Sequence, residues 1–385
     1  MNRPPRLIAS VLSSRDLRAW ERDALGGTQP SAAPYGLEHL AELGFSLAQV
    51  PDPAWLQSRR ARPLRSLEAR ARLMVTRTVV ATRSTRRADL ALALLEPQGH
   101  AYSLLARLGA RPWSCTPLAA LTCWLADDVR TAKPALRAWL RTCTAGTDLF
   151  IYWSTNQREI LEGMLGIPAS RLFFVPFGTE PGYFRPRAPD ARRVPGATHS
   201  SGRDGYVLTA GLDRGRDYRT FMAAVRELDH PVKVVCPRPI LGDLEIPRNV
   251  ELLGLIDKAR YRSLLQRAAL VVVPVRPDVA YPTGQSVLLN AMSCEVPTVV
   301  TNTIALADYT RHGENTWTVP GEDPQELREG IAHVLGSPAL AAKIAASGRH
   351  DVVSHFNSKA MWQKVAPRLR ALVDESPRRL RAPRP

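Results

Sequence analysis

Residues 270–302 read LVVVPVRPDVAYPTGQSVLLNAMSCEVPTVVTN, and the pattern is strand, loop, helix, strand. Leu270–Val275 is a short apolar, β-branched run of the kind found in strands covered on both faces. Pro277, Pro282 and Gly284 stop that strand and forbid an early helix. From Gln285 to Cys294 the apolar residues Val287, Leu288, Ala291 and Met292 make a helical face. Pro297–Thr301 returns as a second buried strand. The order predicts a right-handed βαβ unit. Its helix would begin at Thr283-Gly284-Gln285-Ser286, on the carboxyl edge of a sheet, where free N–H groups and the helix dipole favour an anion. A phosphate or diphosphate on that turn is the first expectation.

Working outward, 385 residues suit two domains of about 150–200 residues each. With 45% hydrophobic and 23% charged residues, the composition is that of an ordinary globular chain with ample core. No apolar run approaches the ~18 residues that would span a bilayer. Leu7–Leu12 is too short for a signal-peptide core, so a cytoplasmic location is expected. Cys115, Cys123, Cys143, Cys236 and Cys294 lack CxxC or Cys/His ligand spacing. They predict buried thiols rather than disulfides or a metal centre. The net charge of +16 is mostly arginine spread along the chain, and by itself it selects no partner. A groove-reading motif and aromatic interleaving along a basic face are both lacking, so nucleic acid is not an expected partner.

In chain order, Leu7–Ser13 predicts a first strand, a Gly/Pro/Ser-rich loop holds Gly26-Gly27, Tyr35–Leu43 a helix, and Phe45–Val50 a second strand. Residues 53–87 read as helical and very basic, with leucines between the arginines. A helix over Arg59–Arg72 can lie on an anionic membrane, or pack its apolar stripe on its own sheet. Ala88–Leu95 predicts a buried strand that ends in Glu96-Pro97-Gln98-Gly99-His100. Ligand groups cluster at such strand ends, so Glu96 and His100 are candidates for acid/base or hydroxyl-binding roles; the alternative is capping of the next helix. Thr147–Ser154 and Leu172–Val175 complete the strands of the first half. Residues 187–204 are rich in Pro, Gly, Ser and Arg and predict a linker. The second half restarts with a strand at Tyr206–Ala210, a glycine turn at Gly211–Asp217 and a helix. The boundaries expected are residues 1–187, a linker at 188–204, a second domain at 205–355, a helix at 356–375 packing back on the first domain, and a disordered basic tail at 376–385. The fold class is α/β: two tandem Rossmann-like domains facing across a cleft.

Four phrases carry a family resemblance. They are Val175-Pro176-Phe177-Gly178-Thr179 with Phe184-Arg185-Pro186; Ala210-Gly211…Arg216-Asp217-Tyr218…Phe221…Ala224; Gly284–Met292 with Pro297–Val300; and Arg311-His312-Gly313-Glu314-Asn315. In order and spacing they resemble the nucleotide-sugar half of the GT-B-fold glycosyltransferases, family four, also called group 1. The resemblance implies a retaining glycosyltransferase with a nucleoside diphosphate sugar as donor, a hydroxyl acceptor and no metal cofactor. The developing charge on the diphosphate would then be met by Gly211, Arg214, Arg216, Gly284, Gln285 and Ser286. His100 stands where relatives can carry an active-site histidine. No protein nucleophile is implied, since the leaving phosphate is thought to help deprotonate the acceptor.

The chain departs from the family pattern where two acidic residues are usual on the loop and helix after Val275. Pro282 and Asn290 stand there. Asn290 retains hydrogen-bonding capacity for ribose hydroxyls, making it the nucleoside-binding candidate. Asp278 or Gln285 are the candidate stand-ins for the acid missing at Pro282. Leu212 replaces an arginine frequent in the family. These losses raise a second expectation, a catalytically degenerate GT-B relative serving as a binding or scaffold protein.

Overall fold

The computed structural model of the chain describes residues 6–187 and 205–376. They form two compact units, each built on a six-stranded parallel sheet. The expected linker at 188–204 and the tail beyond residue 376 lie outside the described residues.

The first unit comprises residues 6–23, 32–175 and 361–376. Its strands are β1 (Leu7–Leu12), β2 (Phe45–Ala48), β3 (Leu90–Ala93), β4 (Leu118–Thr122), β5 (Leu149–Tyr152) and β6 (Leu172–Phe174), in the order β2-β1-β3-β4-β5-β6. Every residue of β3, β4 and β5 is buried, as continuous apolar runs in a doubly covered sheet require. Residues 361–376 belong to this unit. Trp362 is fully buried there and its indole N–H donates to the Tyr35 carbonyl at 2.8 Å, while Arg370 donates to the Leu43 carbonyl at 2.7 Å.

The second unit comprises residues 24–31, 176–187 and 205–360. Its strands are β7 (Val207–Ala210), β8 (Val232–Val235), β9 (Val250–Leu252), β10 (Leu270–Val273), β11 (Thr298–Thr301) and β12 (Trp317–Val319), in the order β12-β11-β10-β7-β8-β9. The βαβ unit expected from the opening stretch is present: β10 and β11 pair in parallel, with Val272 opposite Val299, and the helix Gln285–Ser293 joins them. The order reverses between β7 and β10. The loops leaving these two strands therefore diverge and open a crevice at the carboxyl edge, which is where open α/β sheets hold ligands.

Several local readings change. Residues 53–87 are not one helix but short pieces, among them Ala54–Gln57, Arg62–Ala71, Val75–Val80 and Thr82–Arg86. Prolines 53 and 63 sit at helix starts, and Arg72 turns left-handed at φ 54° to end the longest piece. Tyr35–Leu43 divides into a 3-10 turn, Pro34–Gly36, and a four-residue helix, His39–Glu42, because Tyr35 and Gly36 both take positive φ. Leu17–Leu25 and Pro134–Thr144 are helices that the sequence reading passed over. Residues 176–187, expected in the first domain, group with the second unit. Cys143, Cys236 and Cys294 are buried thiols, whereas Cys115 and Cys123 are only half-buried. Among the described residues no helix is long and apolar enough to cross a membrane.

The turn at Arg311–Asn315 owes its shape to a buried carboxylate. The Asn315 amide donates to Asp351 Oδ2 at 2.8 Å and to the Tyr309 carbonyl at 3.0 Å, and it accepts from the Arg311 N–H at 2.7 Å. Arg311 donates to the same Asp351 oxygen at 2.8 Å. Asn315 and Asp351 are both buried, so removing the carboxylate strands a donor in the interior. Asp351→Ala should destabilise the chain by about 1–3 kcal/mol in denaturant unfolding; a loss too small to resolve would show that the turn holds without it.

Candidate functional site

The crevice between β7 and β10 is built by two loops that grip each other. After β7, the turn Gly211–Asp217 runs into the helix Tyr218–Val225, whose first turn is capped by the Asp217 carboxylate accepting from the Thr220 N–H at 3.0 Å. After β10, the chain passes Pro282 and Thr283 to Gly284, the N-cap of the nine-residue helix Gln285–Ser293. Asp213 joins the loops. Its carboxylate accepts from the Gly215 N–H at 3.1 Å, from Arg216 Nε at 3.1 Å and from the Thr283 hydroxyl. The Arg276 N–H donates to the Gly215 carbonyl at 2.9 Å, and the Tyr218 hydroxyl donates to the Gly211 carbonyl at 2.8 Å.

Arg216 is the centre of this arrangement. Its side chain is only 3% exposed, yet Nη1 has no hydrogen-bond partner among the described residues. Burial is the largest influence and would lower the guanidinium pKa, but the Asp213 carboxylate, Tyr218 and Tyr281 together outweigh it and hold the group above the ordinary arginine value. The cation is thus permanent and half satisfied. Glycine is required on both sides of it. A Cβ at Gly211 would overlap Arg216 Nε; a Cβ at Gly284 would overlap a Val273 methyl and lie 3.1 Å from Arg216 Nη1, and the φ of +82° there favours glycine on its own.

A cavity of about 300 Å³ opens beside the guanidinium, lined by Gly211, Leu212, Asp213, Arg216, Lys258, Tyr261, Ser286 and Asn290, among others. The N–H groups of Ser286 and Val287 lie in the first helical turn here, where a backbone donor has no carbonyl of its own helix to reach. Lys258 and Tyr261 come from the helix Lys258–Arg267, capped by Asp257, and were not singled out in the sequence. The loop from β9 delivers them to the same edge, a consequence of strand order that no local motif announces.

Not every expected residue meets the cavity. Arg214 is exposed and does not line it. Gln285 is buried and donates to the Tyr309 hydroxyl, which also receives the Phe177 N–H at 2.8 Å. Asn290 does line it, while its carbonyl oxygen accepts from the Thr179 hydroxyl at 2.5 Å. Of the two stand-ins for the missing acid, Asp278 pairs with Arg276 at 2.7 Å, well exposed, and neither Asp278 nor Gln285 lines the cavity. Pro282 is buried, and the Gln285 N–H donates to its carbonyl at 3.3 Å.

In the first unit, Glu96 and His100 lie in the opening turns of the helix Glu96–Arg107 that leaves β3. Both are buried. The Glu96 carboxylate accepts from the Cys123 N–H at 3.1 Å and the Trp124 N–H at 2.6 Å, immediately before the helix Leu125–Thr131. Burial pushes its pKa up, against the pull of those N–H groups. His100 Nδ1 lies 2.9 Å from the Arg72 carbonyl, and it must donate there because a carbonyl only accepts. Nε2 is then an acceptor, buried and without a partner among the described residues. Arg72 in turn pairs with Asp128.

With that geometry in view, likeness to known proteins is informative. Residues 219–337 match the family model described as "Glycosyl transferases group 1". The capsular polysaccharide biosynthesis glycosyltransferase CapM of Staphylococcus aureus is 23% identical over 186 residues, 45% of this chain and 47% of CapM. The matched stretch therefore spans about half the length of that relative. Among solved structures, the sucrose-phosphate synthase of Thermosynechococcus elongatus superposes with a TM-score of 0.70 at 16% identity, covering 96% of this chain and 100% of that one. Anabaena HepE in complex with UDP-glucose gives 0.66 at 15% identity, covering 95% and 99%. The fold is GT-B, and within the second unit residues 219–337 resemble the group 1 glycosyltransferases. In this GT-B chain the match covers the β10 side of the crevice and begins at residue 219, just after Arg216.

Burial lowers the His100 pKa to about 4, although the hydrogen bond to Arg72 opposes the shift. An unfolded histidine, with a pKa near 6.5, takes up its proton first, so the neutral ring's contribution to stability is complete above about pH 6.5 and is lost as pH falls towards 4. Thermal unfolding across that window should fall more steeply for the wild type than for His100→Asn. Equal slopes would show that the ring is not held neutral.

Proposed function

We propose that the chain is a glycosyltransferase that moves a hexosyl group, with retention, from a nucleoside diphosphate sugar to a hydroxyl acceptor. The observation that carries this reading is Arg216: a permanent, buried cation whose Nη1 has no partner among the described residues, beside a helix N-terminus, in the crevice where a doubly wound sheet takes its ligand. In the reaction the bond from the sugar's anomeric carbon to the diphosphate oxygen breaks and the acceptor oxygen bonds to that carbon. The acceptor's proton passes to the departing phosphate. Charge grows on the diphosphate as it leaves, and a fixed cation with fixed N–H groups stabilises that charge without reorganising. Arg216 and the N–H groups of Ser286 and Val287 take this role, so no metal ion is invoked.

The remaining groups divide by chemistry. Leu212 and Leu255, both exposed at the cavity, offer apolar surface to the base or sugar ring. Asn290 spends its carbonyl on Thr179, and its amide, beside the Tyr261 hydroxyl, is the group it can offer a ribose hydroxyl. His100, neutral with an acceptor at Nε2, suits a substrate hydroxyl. Glu96 acts as a positioning residue, since backbone N–H groups occupy both of its oxygens. Pro282 removes any carboxylate contact at its position, so recognition of the sugar rests on other groups.

HepE is a structural neighbour described with UDP-glucose, which puts UDP-linked hexoses first in a donor screen. Protection against thermal unfolding by one sugar nucleotide, followed by release of its nucleoside diphosphate in the presence of acceptor, is the expected result. Arg216→Ala should lower that turnover by about 10²-fold or more, the scale for losing one preorganised charge-stabilising group, and leave the far-UV spectrum unchanged. Unchanged turnover would remove Arg216 from the site. Protection by none of the UDP-, GDP- or dTDP-sugars would favour a non-catalytic binding protein.

A further inference from the structure

An unusual surface lies in the first unit, on the short helical pieces of residues 54–80. The helix Arg62–Ala71 has ten residues and not one of them is buried. Leu64, Leu67 and Ala71 fall at helical spacing on one side of it. They face a groove of about 680 Å³ whose other walls are Trp55 from Ala54–Gln57 and Val75 and Val79 from Val75–Val80. Trp55 is 53% exposed, Leu67 65% and Val79 54%. Three short elements thus converge to display apolar side chains outward, where packing on the chain's own sheet would have hidden them. Contiguous exposure of this kind on a folded chain marks an interaction face.

Charge identifies the partner. Residues 54–87 hold ten arginines and a single carboxylate, Glu68. Glu68 lines the groove, half-buried, and its carboxylate is engaged there in accepting the Thr76 N–H at 2.6 Å. Arg72 and Arg77 are used in ion pairs with Asp128 and Asp52. Arg59, Arg60, Arg62, Arg65, Arg70 and Arg83 are exposed. An apolar strip bordered by arginine, with almost no negative charge, complements the acyl boundary and headgroups of an anionic lipid surface.

We propose that this chain docks peripherally on anionic phospholipid through the groove of Trp55, Leu64, Leu67, Val75 and Val79 and the arginines around it. The short helices lie in the interface; none of them spans it. The apolar groups enter the headgroup boundary and the guanidinium groups pair with lipid phosphates. The docking does not depend on the transferase reading, so it is measured on the chain without nucleotide.

The test is co-sedimentation with vesicles of phosphatidylcholine containing about one-third phosphatidylglycerol, beside vesicles of phosphatidylcholine alone. The wild type should bind the anionic vesicles at low salt, bind the neutral ones at least about tenfold more weakly, and release as ionic strength rises past about 0.3 M. Leu67→Glu with Val79→Glu, both at exposed positions, should keep the wild-type melting temperature and weaken binding by about tenfold or more. Failure of the wild type to bind at low salt overturns the proposal. Undiminished binding by the double variant also overturns it, because the net charge of the whole chain would then be the cause. If the double variant instead converts a wild-type dimer to a monomer in sedimentation velocity and vesicle binding stays the same, the face is a contact between copies and not a lipid surface.

Discussion

A buried arginine is tolerable only if something answers its charge, and the second unit is arranged around that requirement. Removing an ion from water costs several kcal/mol unless a counter-charge and hydrogen bonds replace the lost solvent. Asp213 supplies the counter-charge to Arg216 Nε, and it also binds the loop from β10 through Thr283. One carboxylate therefore fixes both a cation and the spacing of the two loops that define the crevice. Gly211 and Gly284 leave the room that a guanidinium occupies. Among the described residues Nη1 has no acceptor, and an N–H of a buried cation left in this state is chemically suited to an anion.

The loops hold this geometry because the helix behind them is pinned from its far side. Asn290 receives the Thr179 hydroxyl, Gln285 reaches Tyr309, and the Phe177 N–H donates to the same tyrosine. Further along, Arg349 donates to the Ser293 carbonyl at 2.6 Å and the Ser293 hydroxyl donates to the Phe184 carbonyl. The segment Phe177–Phe184 thus runs as a strap over the helix Gln285–Ser293. Two of the phrases that carried the family resemblance prove to be largely architectural: the strap itself, and the turn at Arg311–Asn315 that Asp351 holds. The other two, around Gly211–Asp217 and Gly284–Asn290, frame the cavity.

Much of this was legible in the residues, for reasons that differ from part to part. The opening stretch announced its strand, helix and strand because β10 and β11 are buried on both faces and Gly284 must end the loop. Arg216 and the helix start were found because a glycine turn at a strand end is a local signal. Asp213 was within that turn but its role was not visible, since it depends on Thr283, seventy residues away in sequence. The basic segment 53–87 was misread as continuous helix because its composition suits a helix, while the breaks at Pro63 and the left-handed Arg72 depend on how its ends attach. The helix Leu17–Leu25 was passed over although Asp16 caps it, accepting from the N–H groups of Arg18 and Ala19 at 2.9 and 3.2 Å. Glu96 and His100 were placed correctly at a strand end, but whether they cap or react turns on Cys123, Trp124 and Arg72, which only the tertiary structure brings near.

The central claim is that Arg216, held by Asp213, reads the terminal phosphate of a nucleoside diphosphate. Calorimetric titration of UDP and UMP into the wild type and into Arg216→Ala tests it most directly. The account predicts that the wild type prefers UDP by about tenfold or more, the scale of one charge-assisted contact, and that the variant loses the preference while still binding UMP. A UDP preference that survives unchanged in Arg216→Ala would contradict it.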